Sequence, residues 1–298
     1  MSTIVSWQLL VLPVTVALLV GVLAGAVGAI ALIERRIFLA ESLTHSTFPG
    51  AVAGVVTAAW AVPALRGERA GYAVLSVSVL AGAALMCVPM LALARWLRSA
   101  PGVSAQAAAG AVLSIGFALG YLLSTWFAPL PLKVDGFLTG SLLNVKAADA
   151  WTAGACLALT LLLLLALGPR LAFHAFDPVG HRASGLSGRG AETAVMGLIC
   201  VTIAVLVPSL GTILPIALIA APAAALAPWT RTMSRLLIGA PILGAVTSLA
   251  GLLIAVQLNL SAGGVIAVAC GVVYLVSALL HWAATRGAWV RVPLLRRG

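Results

Sequence analysis

Apolar runs of about 20 residues recur along the whole chain, separated by short breaks that carry most of its arginines. A run of that length crosses a bilayer core as an α-helix. The runs fall near 8–33, 38–62, 71–93, 105–127, 149–168, 191–207, 210–228, 236–256 and 262–282, which predicts nine spans. The stretch 191–228 is divided by Pro208 and Gly211 and punctuated by Pro215, Pro222 and Pro228. It fits two spans, or one span plus short or broken helices, so the expected count is eight to nine. No run alternates with a period of two, as the strands of a transmembrane barrel would. The expected fold class is all-α, a polytopic membrane protein with one transmembrane domain over residues 1–298.

Composition agrees: 62% of residues are hydrophobic and 8% charged, and mean hydropathy is +1.17. Drawn as nine alternating spans, one set of loops and the C-terminal tail hold 13 of the 17 lysines and arginines. The positive-inside rule makes that set cytoplasmic, with the N-terminus outside and the C-terminus inside. It also accounts for the net charge of +10 without a nucleic-acid partner. The arginines from Arg286 to Arg297 read as an anchor to anionic membrane lipid. The first run is too long for a secretory signal. Cys87, Cys156, Cys200 and Cys270 lie singly in apolar runs, so neither a disulfide framework nor a structural zinc site is expected.

One apolar run is interrupted by chemistry. Glu41 and His45 stand four residues apart in the second span, and on a helix they share a face. A carboxylate and an imidazole together can ligate a divalent transition metal. A capping or helix–helix contact is the plainer reading, but ionisable residues inside a membrane are costly and mark pathways. Pro49 and Gly50 follow and are expected to break the helix, a usual way to build a transport site.

The outer segment Phe137–Leu143 is too short to cross and reads as an interfacial or re-entrant helix. The polar stretch from Gly168 to Gly190 reads as a cytoplasmic loop. Within it, Asp177 as N-cap and Pro178 at the first helical position predict a short helix to about Ser184, ended near Gly185. His174, His181 and Arg182 read there as solvated or partner-facing, with His181 and Arg182 exposed. Glu34 reads as neutralised by Arg35 and Arg36. No G-x-x-x-x-G-K-[ST] phosphate loop occurs, so the chain carries no ATPase motif of its own and does not read as an enzyme.

Four stretches, in order, resemble the permease subunits of bacterial ABC importers for zinc, manganese and related metals. They are RRIFLAESLTHSTFPG, GFLTGSLLNVKAADAW, AFDPVGHRASGL and LPIALIAAPAAALAPW. The resemblance implies a plasma-membrane permease, working as a homodimer, that imports manganese or zinc, with iron a further candidate, as substrate and holds no permanent cofactor. It implies a separate ATP-binding cassette subunit docked on the helix at 177–185, and an extracytoplasmic metal-binding protein. The ligand pair falls on Glu41 and His45. Glu41 stands where the family usually has aspartate, which bears on selectivity. Before the last span, where the family often has an acidic residue, stands the neutral Asn259, a candidate second ligand or outer-sphere group. Two rivals remain at this stage. A permease for an iron chelate or vitamin would not need Glu41 and His45, and an ion-coupled secondary carrier would show paired broken spans.

Overall fold

The computed structural model describes residues 7–61, 69–130, 142–184, 188–211 and 213–289. Among them there is no strand. Six helices are long and apolar enough to cross a membrane. They are α1 (Trp7–Ile33), α4 (Arg69–Ser99), α5 (Ala105–Trp126), α6 (Ala147–Phe176), α10 (Met233–Leu258) and α11 (Ala262–Trp289). The expected second span is two helices, α2 (Ile37–Ser46) and α3 (Phe48–Ala61). The ambiguous stretch is also two, α8 (Gly188–Leu210) and α9 (Ile213–Leu226). They separate at Gly211, whose φ of 80° breaks the helix at a residue that adopts it without strain. Pro208, the other candidate divider, lies inside α8.

The bundle is built around α1, whose apolar window is 72% buried against 11% for α11. In lipid, helices gain little from apolar contact alone, so close backbone approach at small residues decides who packs with whom. A Cβ on Gly21 would strike the Gly244 carbonyl, and one on Gly25 the Ala240 carbonyl. Residue numbers rise on α1 as they fall on α10, so the two are antiparallel along their length. Gly28 lies against the Ile219 carbonyl of α9. On the other side, Gly50 and Gly54 of α3 meet Gly82 and Ser78 of α4.

Gly28→Leu is expected to wedge α9 off α1 and destabilise the bundle by about 3 kcal/mol, the upper range for overpacking. Gly197→Ala, where a Cβ meets nothing within 4 Å, is expected to change stability by less than about 0.5 kcal/mol. Thermal unfolding of the two variants in detergent checks the contrast.

The reading of 169–190 as loop is corrected in part. α6 continues through Pro169 to Phe176, so much of that polar stretch is helix protruding past the apolar run. Leaving the apolar layer does not end a helix. What ends it is Asp177, whose ψ of 78° leaves the helical region. The expected interfacial helix at 137–143 falls mostly outside the described residues. Only a single 3₁₀ turn, Leu142–Asn144, is described there.

Candidate metal pathway and coupling helix

Glu41 and His45 lie on α2, four residues apart, and the helix stops at Ser46, one residue after His45. Pro49 has no N–H to send to the His45 carbonyl, so a continuous ladder cannot pass this point. The polar side chains around the pair are buried, yet each donates within its own helix. Ser42 Oγ reaches the Leu39 carbonyl at 2.9 Å, Thr44 Oγ1 that of Ala40 at 2.8 Å, and Thr47 Oγ1 that of Thr44 at 2.8 Å. Those hydroxyls are therefore satisfied locally.

The imidazole is not. His45 Nδ1 is buried with no hydrogen-bond partner among the described residues, and its ring stands edge-on to Phe117 of α5 at 6.1 Å between centroids. Among the described residues no basic side chain pairs with Glu41. A buried polar atom left unpaired is costly and calls for a reason; His181 Nδ1, Thr202 Oγ1 and Ser248 Oγ share that state, but only His45 has a carboxylate one turn away on its own helix.

The break is held in place by α5. A Cβ on Gly116 would collide with Ser46, and one on Gly120 with the Phe48 ring, so two glycines one turn apart seat the α2–α3 junction. Among the described residues no three acidic, histidine or cysteine side chains form a ready metal cage. The pair offers one nitrogen and one carboxylate and leaves the remaining coordination positions open.

Asn259 is not brought to this pair. It caps α10 in the left-handed conformation, φ 52° and ψ 40°, and its N–H donates to the Ala255 carbonyl. The antiparallel packing of α10 on α1 sets Asn259 level with the start of α1, whereas α2 begins just beyond the end of α1. At 1.5 Å rise per residue the separation along the bundle is on the order of 30 Å. The alternating spans expected from the sequence already put the two residues on opposite faces; a helix terminator is the role the backbone gives Asn259.

At the far end of α6, Asp177 both ends that helix and starts α7 (Pro178–Ala183). Its Oδ1 accepts from the Gly180 N–H at 2.8 Å, an N-cap with proline at the first helical position. The expected short helix is thus present; Gly185 lies outside the described residues.

His181 is not exposed: it is 2% accessible. It packs against the rings of Phe173 and His174 at 5.5 and 5.2 Å, because α7 folds back onto the protruding end of α6. Among the described side chains of α7, Val179 is the exposed large apolar one, 68% accessible, which sequence reasoning passed over as an ordinary apolar residue.

The expected pairing of Glu34 with its neighbours is also corrected. Glu34 Oε1 lies 3.2 Å from His174 Nδ1, and Arg36 instead meets Glu192 of α8 at 2.6 Å. Successive side chains in the turn after α1 diverge, and Arg35 turns the chain with a φ of 56°. Glu192 was missed as well. Its only signal was an acid at the start of an apolar run.

The sequence motifs pointed to a second span interrupted after an acid and an imidazole one turn apart, and to a capped short helix between long spans; both local structures are present. Comparison decides the family. The ABC 3 transport family matches residues 6–281. This chain belongs to it. Among relatives, the manganese import system permease ScaB of Streptococcus parasanguinis is 25% identical over 88% of this chain and 86% of its own. The zinc transport system membrane protein TroC of Treponema pallidum is 28% identical over 88% and 86%. The fold matches PsaBC from Streptococcus pneumoniae, solved in complex with a Fab, with a TM-score of 0.77, 22% identity and 91% of each chain covered. The fold class expected from hydropathy is therefore that of an ABC 3 permease.

Proposed function

We propose that this ABC 3 chain forms the translocation pathway of an ATP-driven importer of divalent transition metal ions, manganese or zinc, in a bacterial plasma membrane. The observation that carries the reading is the buried, unpartnered Nδ1 of His45 one turn from Glu41 at a helix break. An imidazole nitrogen beside a carboxylate suits Mn²⁺, Fe²⁺ or Zn²⁺. Two ligands per copy fit a carrier, since a closed four-ligand cage would retain its ion. Relatives with manganese and zinc in their names support the substrate class.

The chain works as a homodimer with its C-terminus cytoplasmic, and an extracytoplasmic binding protein delivers the ion. α7 docks a separate ATP-binding cassette subunit. Val179 supplies the exposed apolar contact, with Arg182 on the same short helix. Asp177 and Pro178 fix the start of that helix, and His181 acts from beneath by seating it on α6. Asn259 takes no part in holding the ion.

Reconstituted vesicles test the reading. With the chain, its ATPase and its binding protein present, ATP is expected to drive accumulation of manganese or zinc. Omitting the ATPase is expected to stop it. Accumulation of an intact iron chelate or vitamin, with neither free ion moved, would replace this reading.

A further inference from the structure

A basic cleft at the opposite end of α2 from the helix break is not used by the proposed metal pathway. Four elements meet there: the start of α2, the last turns of α4, the first turn of α5, and α8. Arg35, Arg36, Arg95 and Arg98 line a small cavity of about 40 Å³. It adjoins an open cleft of about 430 Å³ bordered by Arg95, Arg98, Ser99, Glu192 and Thr193.

Four arginines and one carboxylate line the cavity and the cleft together. Glu192 Oε1 takes Arg36 at 2.6 Å and Arg98 at 3.6 Å. Among the described residues Arg95 meets neutral partners, Thr193 Oγ1 at 3.4 Å and Met196 Sδ at 3.3 Å. An excess of three positive charges around a cleft is the arrangement that binds an oxyanion bidentately. The N-terminal turn of α5 adds to it. Ala105 and Gln106 line the same cavity, at a helix end where the dipole is positive and Ser104 Oγ takes only the Ala107 N–H.

The cavity wall decides what carries the oxyanion. Phe38, Leu39, Leu91 and Ala109 line it alongside the arginines, and Phe38 is 39% exposed. A charged rim above an apolar wall, at the end of membrane-spanning helices, matches a headgroup with acyl chains attached. A free anion gains nothing from that wall. We infer that this cleft is a binding site for the phosphate of an anionic phospholipid, held by Arg95 and Arg98 with Glu192 as a competing internal anion. The inference is independent of which ion the chain transports.

The test uses the full-length chain in nanodiscs of phosphatidylcholine with a rising fraction of phosphatidylglycerol, with retained lipid read by native mass spectrometry. Wild type is expected to retain phosphatidylglycerol over phosphatidylcholine. Arg95→Gln and Arg98→Gln are each expected to lower that preference about tenfold, the worth of one charge-assisted contact. Glu192→Gln is expected to raise it, a change in the direction that damage to the fold does not produce. Arg231→Gln, away from the cleft, should match wild type. Excess inorganic phosphate should leave the retained lipid in place. Equal preference in wild type and Arg95→Gln, or a fall with Glu192→Gln, would overturn the site. Displacement of the lipid by inorganic phosphate would overturn the lipid and leave a simple anion pocket.

Discussion

Glu41→Gln and His45→Ala are each expected to cut metal uptake at least 100-fold while leaving ATPase docking intact. The two changes act on different terms. Glutamine keeps the size of the side chain but removes the charge that offsets the cation in a low-dielectric setting. Alanine removes the one imidazole, and with it the nitrogen that favours transition metals over magnesium and calcium. Outer-sphere partners of metal ligands are already worth 10–100-fold in affinity, so loss of a direct ligand should exceed about 100-fold.

Glu41→Asp is the informative intermediate. It keeps the carboxylate but shortens the reach of the oxygens, so it should retain transport with altered preference between manganese and zinc. Uptake at several metal concentrations, with pull-down of the ATPase as the folding control, checks all three variants.

The second large effect is expected at α7. Val179→Asp puts a charge on the exposed apolar residue of this short helix and should weaken ATPase docking, lowering transport at least tenfold. Asp177→Ala removes the cap that accepts from Gly180 N–H and should loosen the helix by about 1 kcal/mol, with a milder loss of coupling. Both variants should bind metal as wild type does. Measuring ATP hydrolysis and uptake on the same preparation separates the cases: hydrolysis without transport marks uncoupling, and loss of both marks failed docking.

Much of this was legible in the sequence because a membrane simplifies the code. Apolar runs long enough to cross, the proline after His45 and the Asp177–Pro178 pair each name a local structure with a physical cause. What the sequence could not supply was side-chain contact. The alternating spans already put Asn259 and Glu41 on opposite faces of the membrane, and the antiparallel seat of α10 on α1 agrees. His181 looked exposed because its stretch is polar; the fold of α7 back onto α6 buries it. Glu192 was invisible as a partner of Arg36, since 156 residues separate them. Proline, too, was over-read at one position. Pro208 lies inside a helix, and the break comes instead at Gly211.

The central claim is that α2 holds the transported ion through an imidazole and a carboxylate. The most direct test is the pulsed electron paramagnetic resonance spectrum of Mn²⁺ bound to the purified permease. A coupling to one imidazole nitrogen per ion in wild type, lost in His45→Ala and kept in His174→Ala, is the predicted result. A bound ion with no nitrogen coupling, or one whose coupling survives His45→Ala, would contradict the account.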